Sequence, residues 1–509
     1  MSAAHTTSRR FAYVCIALVA ALNLLGAAAF DVSLYDNVAV YWGQDSYGAT
    51  HSDVADYQQP ISFYCQDDAI DVIPIAFVNS FFGTGGYPVL NLGNTCNSTT
   101  NGYFNGTELL NCSFLATDIE YCQNQGKAVT ISLGGGGASV GFQSDSEAQT
   151  FADTIWNLFL GGTSDMRPLG SVVLDGVDLD IEGGSETGYA AFIAQLRTYF
   201  EGADKSYYIS GAPQCEYPDE YLGDALDSAW FDMVYVQFYN NPCGLQNFDD
   251  ASGYDFGIWD IWARNVSINP NVKIFVGAPA STTAAGTGYQ NASQLETIAI
   301  YSRNSYPSFG GVMMWDASQA YQNDQYDLTI KDALVAAGST GFTYPACSAE
   351  EWTSGSDYPG GSKVSWNGYI WESKYYASDE PTMNYNGDWM PISACAGTAP
   401  TSSSPTTSTA SSGTTSTSAT ATTTSTGTGN CAGVAEWSDS TAYTGGSEVQ
   451  YNGDLWTAQY WTEDDVPGGS AGVWTNDGAC SSSDVAARAF APPTPAPVAP
   501  RSKSRFFRL

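Results

Sequence analysis

Histidine is almost absent from this chain of 509 residues, which contains two, His5 and His51. His5 lies in an N-terminal segment that we expect to be removed, so a Ser-His-Asp hydrolase would depend on His51 alone. A zinc site built on histidines is excluded for the same reason. Hydrolysis by this protein would therefore have to use carboxylates and tyrosines, and we expect no metal ion and no other cofactor.

Basic residues are also scarce, since 17 Lys and Arg stand against 53 Asp and Glu and the formal net charge is −36. Two of the basic residues lie in the N-terminal segment and five lie after Cys480, which leaves ten against 52 acidic residues in the body of the protein. Such a surface repels nucleic acid and anionic membranes, and we expect neither as a partner. It suits a neutral or cationic partner, although it also serves the solubility of an extracellular protein.

Long apolar runs are missing except near the start, where Arg9 and Arg10 precede FAYVCIALVAALNLL and then GAAAF. This order of charge, apolar run and small residues predicts a signal peptide over residues 1–29, cut after Ala29. A membrane anchor is the alternative, but the run is shorter than the ~20 apolar residues of a spanning helix. We therefore expect a secreted, extracellular protein, either free or associated with a cell wall.

Cysteines and glycosylation sequons fit the same compartment. Removing Cys15 with the signal peptide leaves ten cysteines, an even number that is typical of disulfide-bonded extracellular proteins. Five Asn-x-Ser/Thr sequons occur, at Asn97, Asn105, Asn111, Asn265 and Asn291.

Two segments near the C-terminus repeat one another at an offset of 85 residues, from Trp352/Trp437 to Cys395/Cys480. Units this small need a covalent staple, and Cys347–Cys395 and Cys431–Cys480 are the expected ones. The segment between the repeats is almost purely Ser, Thr, Ala, Gly and Pro, which predicts a flexible linker. The predicted organisation is a signal peptide (1–29), a large domain (30–345), a first module (346–396), the linker (397–430), a second module (431–480) and a disordered, Pro-rich, basic tail (481–509).

The large domain contains eight short apolar runs, with helix-like stretches such as DTIWNLFL and YAAFIAQLRTYF between them. Runs that are apolar on both faces and alternate with helices are typical of a parallel sheet. Eight units in about 310 residues indicate a closed (β/α)8 TIM barrel, followed by two small β-rich modules. A doubly wound open sheet is the alternative, but no Gly-rich phosphate-binding pattern follows the first strand. The runs lie at 38–43, 72–81, 128–135, 176–183, 207–214, 233–240, 272–279 and 311–318.

The fourth run, in DGVDLDIE, carries a cluster of carboxylates. Side chains alternate along a strand, so Asp178, Asp180 and Glu182 share the face that points into the barrel, while Asp175 does not fit the alternation and predicts an irregularity near Gly176. Crowded carboxylates raise one another's pKa, which suits a general acid at the barrel mouth. A solvated acidic face and a calcium site are the alternatives, and the position inside a barrel favours neither.

The pattern D-x-x-D-x-D-x-E in DGVDLDIE resembles the signature of glycoside hydrolase family 18. The segments VAVYWGQ, SLGGG, APQC, VQFYNN and GGVMMWD are similar to strands of the class III, plant-type chitinases of that family. The resemblance covers residues 30–345, with one departure, since relatives usually have Asn at the position of Asp45.

The resemblance implies a retaining, substrate-assisted mechanism. Glu182 would protonate the leaving glycosidic oxygen, and the 2-acetamido oxygen of the substrate would attack C1 to form an oxazolinium ion. Asp180 would accept the acetamido N–H and stabilise the developing charge, with Asp178 coupled to it. Tyr239 would donate its hydroxyl to the acetamido group.

The resemblance also implies further residues, partners and disulfides. We expect chitin and chito-oligosaccharides as partners and a monomeric protein. Three disulfides would join Cys65 to Cys122, Cys96 to Cys112 and Cys215 to Cys243. Core packing is the alternative for the aromatic residues of the cleft. The predicted substrate-binding residues are Tyr41, Phe77, Gly135, Gln237, Asn240 and Trp315.

The two repeats resemble type 3 chitin-binding modules, carbohydrate-binding families 5 and 12. So small a unit leaves aromatic faces exposed, and pyranose rings stack on such faces. Trp371 and Trp456 are expected in the cores. The candidate chitin-binding residues are Trp352, Tyr375, Tyr376, Trp437, Tyr460 and Trp461.

Three functions are compatible with these observations. The first is a secreted endochitinase acting on β-1,4 linkages between N-acetylglucosamine units. The second is a lectin-like barrel that binds chitin with weak or no catalysis, which the presence of Glu182 and its partners disfavours. The third is an endo-β-N-acetylglucosaminidase acting on N-glycans, which the chitin-binding repeats disfavour.

Overall fold

The computed structural model describes residues 29–138, 140–250 and 253–396, followed by 434–438, 443, 447–458, 462, 466–469 and 473–480. The chain divides into two compact units between Thr409 and Ala410. The predicted linker and tail, and the predicted signal peptide apart from Ala29, lie outside the described residues. No helix among the described residues has the length and apolarity needed to cross a bilayer.

The first unit contains a closed barrel of eight parallel strands. Each strand pairs with its neighbours in chain order. The first strand, β1 (Asn37–Val40), pairs with both the last strand and β2 (Val72–Ser80), where Ala39 lies opposite Val72. A short strand, β3 (Val89–Leu90), adds to β2 from outside. The predicted TIM barrel is therefore confirmed, and the open sheet was the wrong alternative. The barrel strands are β1 (Asn37–Val40), β2 (Val72–Ser80), β4 (Ala128–Gly134), β5 (Gly176–Asp180), β6 (Tyr208–Gly211), β7 (Met233–Gln237), β8 (Lys273–Pro279) and β9 (Phe309–Trp315).

The strands form because both of their faces are apolar and become buried. One set of side chains fills the barrel interior, including Ala39, Tyr235 and Met313. The alternate set packs against the surrounding helices, including Val177 and Leu179 of β5. This arrangement explains why the apolar runs lack the alternation of a half-exposed strand.

Nine helices surround or cap the barrel in the described residues. The longest helix is Asp145–Phe159. Ser144 caps its N-terminus by accepting from the backbone N–H of Glu147, and Phe151 and Ile155 lie on its buried face. Its spacing of apolar residues and this cap are the signals of an amphipathic helix. The helices are α1 (Ser46–Thr50), α2 (Ala116–Asn124), α3 (Asp145–Phe159), α4 (Tyr189–Phe200), α5 (Gly223–Ser228), α6 (Phe256–Asn265), α7 (Ala292–Ser305), α8 (Ala317–Gln322) and α9 (Tyr326–Ala337).

Disulfides tie the loops of the barrel and the base of the first repeat. The bonds join Cys65 to Cys122, Cys96 to Cys112, Cys215 to Cys243 and Cys347 to Cys395. The first three are the pairs that the resemblance implies, and the fourth is the staple expected for the first repeat. Cys480 is also disulfide-bonded, whereas Cys431, its expected partner, lies outside the described residues.

The two repeats form small sheets whose antiparallel strands have the same register, and in the first repeat the short strand at Glu350–Glu351 adds a parallel pairing. In the first repeat Val364 lies opposite Trp371, and in the second Val449 lies opposite Trp456. In both, a register shift follows at the same place on the central strand. The strands of the first repeat are β10 (Glu350–Glu351), β11 (Lys363–Trp366), β12 (Tyr369–Ser373) and β13 (Trp389–Ala394), and those described in the second are β14 (Glu448–Tyr451), β15 (Asp454–Ala458) and β16 (Trp474–Ala479).

Candidate active site

The carboxylates of β5 point into the barrel at the end where its strands finish. Asp178 is fully buried and Asp180 is 4% exposed, while Val177 and Leu179 face the helices. The strand itself ends at Asp180, so Glu182 lies two residues beyond it rather than on it. It remains on the same side, because the side-chain amide of Gln237 contacts both Asp180 and Glu182.

Asp178 is the deepest member of the trio and is held by three hydroxyl groups. Tyr41 and Ser132 donate to its Oδ2 over 2.8 and 2.6 Å, and Ser210 donates to its Oδ1 over 2.7 Å. Burial raises the pKa of Asp178, and the three hydrogen bonds oppose that rise because they favour the charged form. The residue is therefore a fixed carboxylate at the base of the site.

Asp180 lies between the other two carboxylates, and its pKa is raised well above the ordinary range. The main cause is burial, followed by the charges of Glu182 and Asp178 and a hydrogen bond with Glu182. Gln237 donates from Nε2 to Asp180 Oδ1 over 3.0 Å and to Glu182 Oε1 over 3.2 Å. These surroundings therefore favour the protonated form of Asp180.

Tyr239 follows the end of β7 and lies at the same cleft, 9% exposed. Burial, and then the charges of Asp180, Glu182 and Asp178, raise the pKa of this phenol well above its usual value. The hydroxyl therefore remains protonated at neutral pH and is available as a hydrogen-bond donor.

Aromatic rings form the apolar side of the cleft. The rings of Phe77 and Trp315 stack with centroids 5.7 Å apart and planes at 15°, and Tyr41 packs against both. Trp315, the last residue of β9, is half-buried, so its ring is open to the cleft. A flat apolar wall beside carboxylates suits a pyranose ring presented for acid catalysis. The cleft is lined by Tyr41, Phe77, Gly136, Asp180, Glu182, Ala212, Gln237, Tyr239, Asn240, Ala284 and Trp315.

A polar groove continues from this cleft and shares Phe77, Gly136 and Trp315 with it. It adds three amide side chains, Gln44, Asn79 and Asn91. Asn79 Oδ1 is buried without a hydrogen-bond partner in the described part of the chain. These amides were not predicted. Gln44 directly follows the first apolar run and Asn79 lies near the end of the second, so their places near the ends of strands were the available signal.

Gly135 was predicted to bind substrate, but it is not among the residues that line the cleft. Its φ is 95°, and a Cβ built there would lie 2.6 Å from the ring of Phe77, so the residue gives that ring room instead of facing the cleft. The glycine that lines the cleft is Gly136, where a Cβ would meet Glu182 Oε2 at 3.5 Å. A difference of one position in this Gly-rich turn therefore decides which glycine lines the cleft.

The remaining predicted residues of the barrel lie together. Asn240 lines the cleft, and its Oδ1 also accepts from the backbone N–H groups of Gly286 and Thr287, so it positions that loop. The structure brings to one cleft Asp178, Asp180, Glu182, Tyr239, Tyr41, Phe77, Gln237, Asn240 and Trp315, with Asp178 beneath the surface.

Two nearby aspartates have structural roles. Asp45 caps α1, and its carboxylate accepts from the backbone N–H groups of Gly48 and Gln58. Asp175, just before β5, accepts from the backbone N–H of Val129 and pairs with Lys205 at 2.9 Å. The irregularity predicted beside it appears as a close approach, since a Cβ on Gly176 would lie 2.0 Å from the carbonyl oxygen of Tyr208.

One group of possible metal ligands occurs among the described residues, Cys215, Cys243 and Asp255. The two sulfurs are bonded to one another, so they offer no thiolate to a cation. This group does not have the chemistry of a metal site.

The predicted chitin-binding aromatics of the first repeat differ in exposure. Tyr375 and Tyr376 are 66% and 60% exposed, while Trp352 is half-buried against Trp366. The expected core residue Trp371 is buried.

In the second repeat, Trp437 packs half-buried against Tyr451, and Trp456 is also half-buried. Tyr460 and Trp461 lie outside the described residues.

Comparisons with known proteins agree with this geometry. Residues 37–294 match the family model of glycosyl hydrolases family 18, and residues 436–475, within the second repeat, match that of carbohydrate-binding module family 5/12. Chitinase 1 of Rhizopus niveus is 47% identical over 291 residues, which are 57% of this chain and 55% of the relative. Chitinase 2 of Rhizopus oligosporus is 44% identical over 328 residues, 64% of this chain and 58% of the relative.

Endochitinase 33 of Trichoderma harzianum is 39% identical over 328 residues, which are 63% of this chain and 98% of that relative. The chain thus spans little more than half the length of the two Rhizopus proteins, but nearly all of the Trichoderma protein.

Proposed function

The chain belongs to glycosyl hydrolase family 18, and from this premise we propose that it is an endochitinase that hydrolyses β-1,4 linkages between N-acetylglucosamine units. The observation that carries the proposal is the line of Asp178, Asp180 and Glu182 rising to the same cleft as Tyr239 and Trp315. The names of the related chitinases support the substrate class.

Glu182 acts as the general acid in this proposal. It lies at the opening of the cleft, beside Asp180 and within hydrogen-bonding distance of Gln237. It gives a proton to the glycosidic oxygen as the bond to C1 breaks, and later takes a proton from the attacking water.

The nucleophile in the proposed reaction is the acetamido oxygen of the substrate. Asp178 is buried and committed to three hydroxyls, and Asp180 is buried beneath Glu182, so neither is placed to attack C1. Asp180 instead accepts the acetamido N–H, and Tyr239 donates to the acetamido oxygen, which fixes it beneath C1. The product keeps the β configuration, because two displacements occur at the same carbon.

Replacing the acid tests this assignment. We expect Glu182→Gln to lower kcat on soluble chito-oligosaccharides by about 1000-fold, since it removes the transferable proton but keeps the shape of the side chain. Glu186→Gln is the matched control, because Glu186 is exposed and lies outside the cleft lining, and it should retain the native rate. Native activity in Glu182→Gln would refute the assignment, and α product in early NMR spectra would refute the retaining mechanism.

Parallel assays on colloidal chitin and on a high-mannose glycoprotein separate the proposed activity from cleavage of N-glycans.

We further propose that the second repeat binds chitin, which its match to family 5/12 and its half-buried Trp437 support. A binding module attached to the catalytic domain raises the local concentration of the active site at the surface of an insoluble polymer.

We also propose that the protein is secreted. Four disulfides among the described residues support this, because such bonds persist in oxidising compartments. Mass spectrometry of the mature chain tests the proposal, and an N-terminus at Phe30 is the expected result.

A further inference from the structure

The first repeat packs directly on the outer helices of the barrel. Ile261 of α6 belongs to the same apolar cluster as Tyr369, Trp371 and Trp389 of the repeat. At Gly257 the fit is so close that a Cβ would lie 2.0 Å from the carbonyl oxygen of Pro391. The barrel and the first repeat therefore share buried apolar side chains and a close backbone approach.

A buried polar group stands at the centre of this contact. Asp260 of α6 is fully buried and accepts from the hydroxyl of Tyr369 over 2.7 Å and from Ser308. Arg264 donates to the same tyrosine oxygen over 2.7 Å, and its guanidinium carbon lies 5.3 Å from the centre of the tyrosine ring. Tyr369 therefore links an acidic and a basic residue of the barrel, and its loss would leave Asp260 buried with fewer partners.

The barrel also covers the free edge of the repeat's sheet. One edge strand of this sheet is β13, and its carbonyl groups at Pro391 and Ile392 accept from the hydroxyls of Tyr306, over 3.1 Å, and Tyr301. Open sheet edges need such a cover, because unpaired backbone groups invite pairing with other chains.

The second repeat has kept the fold but lost the residues of this contact. The two repeats share a core of Trp, Tyr and Val and make the same internal bonds, such as Trp371 to the carbonyl of Trp366 and Trp456 to that of Tyr451. At the offset of 85 residues, however, Tyr369 corresponds to Asp454, and Pro391 corresponds to Asn476. An aspartate in the place of Tyr369 would set a second carboxylate against the buried Asp260.

We propose that the two repeats have different roles. The first is a structural part of the barrel domain and packs against α6 and α7 through a docking face made of Tyr369, Pro391 and Ile392. The second repeat cannot make this contact. Tyr375 and Tyr376 lie outside the docking face and stay exposed in the docked repeat. This inference depends on the contact alone and is independent of the proposed activity.

A cut between barrel and repeat tests the proposal in the full chain. A specific protease site is inserted after Thr343, which is exposed and lies between α9 and the first cysteine of the repeat. After cleavage of the folded protein, we expect the piece that begins at Tyr344 to stay with the barrel during size-exclusion chromatography at micromolar concentration. Separation of the two pieces at that concentration would overturn the proposal.

Residue exchanges between the repeats supply the variant and its control. In the cut protein, Tyr369→Asp should raise the dissociation constant of the two pieces at least about 100-fold, because it sets like charges together in a buried place. Ile370→Leu also introduces the residue of the second repeat, Leu455, at the next position and away from the docking face, and should leave the constant unchanged.

Two checks separate a weakened contact from misfolding of the Tyr369→Asp variant. The Tyr369→Asp repeat should keep its native tryptophan fluorescence, since Asp454 is accommodated at the equivalent place of the second repeat. Arg264→Ala changes the barrel alone and should weaken the complex about 10-fold. Unchanged affinity in both Tyr369→Asp and Arg264→Ala would refute the assigned docking face.

Discussion

The surroundings of Tyr239 hold its phenol in the protonated form. Burial and the nearby carboxylates Asp180 and Glu182 both disfavour a phenolate, and both act on a side chain fixed at the end of β7. A donor that is already oriented and neutral needs no reorganisation when charge develops on an acetamido oxygen, which is the condition for effective electrostatic catalysis.

Removing this hydroxyl alone should therefore damage the reaction and not the fold. We expect Tyr239→Phe to lower kcat/KM on soluble chito-oligosaccharides about 100-fold with little change in the melting temperature, because the ring remains in place. Steady-state kinetics and thermal unfolding measure the two effects. Tyr208→Phe, a half-buried tyrosine at the opposite end of the barrel, is the control and should keep native kinetics. Equal losses in both variants would contradict a specific role for Tyr239.

Short apolar runs predicted the individual strands, because a strand of this barrel is buried on both faces. The inward face of Asp178 and Asp180 follows from the strand period alone. The partners of Asp178 did not follow from it, because Tyr41, Ser132 and Ser210 come from three different strands whose register no local pattern records. The choice between Gly135 and Gly136 also depended on turn geometry that glycine leaves open.

At the scale of elements, α9 carries a buried acid in its first turn. Asp327 is 5% exposed, and burial raises its pKa from 3.8 to about 6. The folded protein thus keeps this proton between about pH 4 and pH 6, where the unfolded chain has released it. Its contribution is present at low pH and is lost as the pH rises through that window.

Replacing Asp327 should therefore change how stability depends on pH. Relative to the native protein, Asp327→Asn should gain up to about 3 kcal/mol of unfolding free energy between pH 4 and pH 7, the value of a pKa rise of this size. Urea denaturation at a series of pH values measures it. Asp332→Asn on the same helix is exposed and should give a flat difference. A flat difference for Asp327→Asn as well would show that its carboxyl titrates normally in the fold.

At the scale of the molecule, two repeats with a shared sequence pattern differ at the residues through which the first repeat contacts α6. Spacing and composition predicted both modules with their shared core, because the aromatic residues and the end cysteines recur at one offset. The docking of the first repeat did not follow from that spacing, because it depends on single residues such as Tyr369 that meet α6 only in the folded barrel. The contacts of the barrel therefore continue past residue 345, the predicted end of the large domain, into the first repeat.

Three chains that start alike and end after residue 345, 396 or 509 separate the contributions of the two repeats. We expect the chain ending at 396 to keep the melting temperature and the rate on soluble oligosaccharides of the longest chain, since the docking face is intact. The chain ending at 345 should melt at a lower temperature, because it uncovers Ile261 and leaves Asp260 without Tyr369.

Insoluble chitin gives the complementary comparison. Loss of the second repeat in the chain ending at 396 should reduce binding to chitin particles and the rate on them about 10-fold or more, through the loss of local concentration. A depletion assay with particles and release of soluble sugar measure the two effects. If the chain ending at 396 bound particles as well as the longest chain, the second repeat would not be the anchor, and the exposed Tyr375 and Tyr376 of the docked repeat would be the next residues to replace.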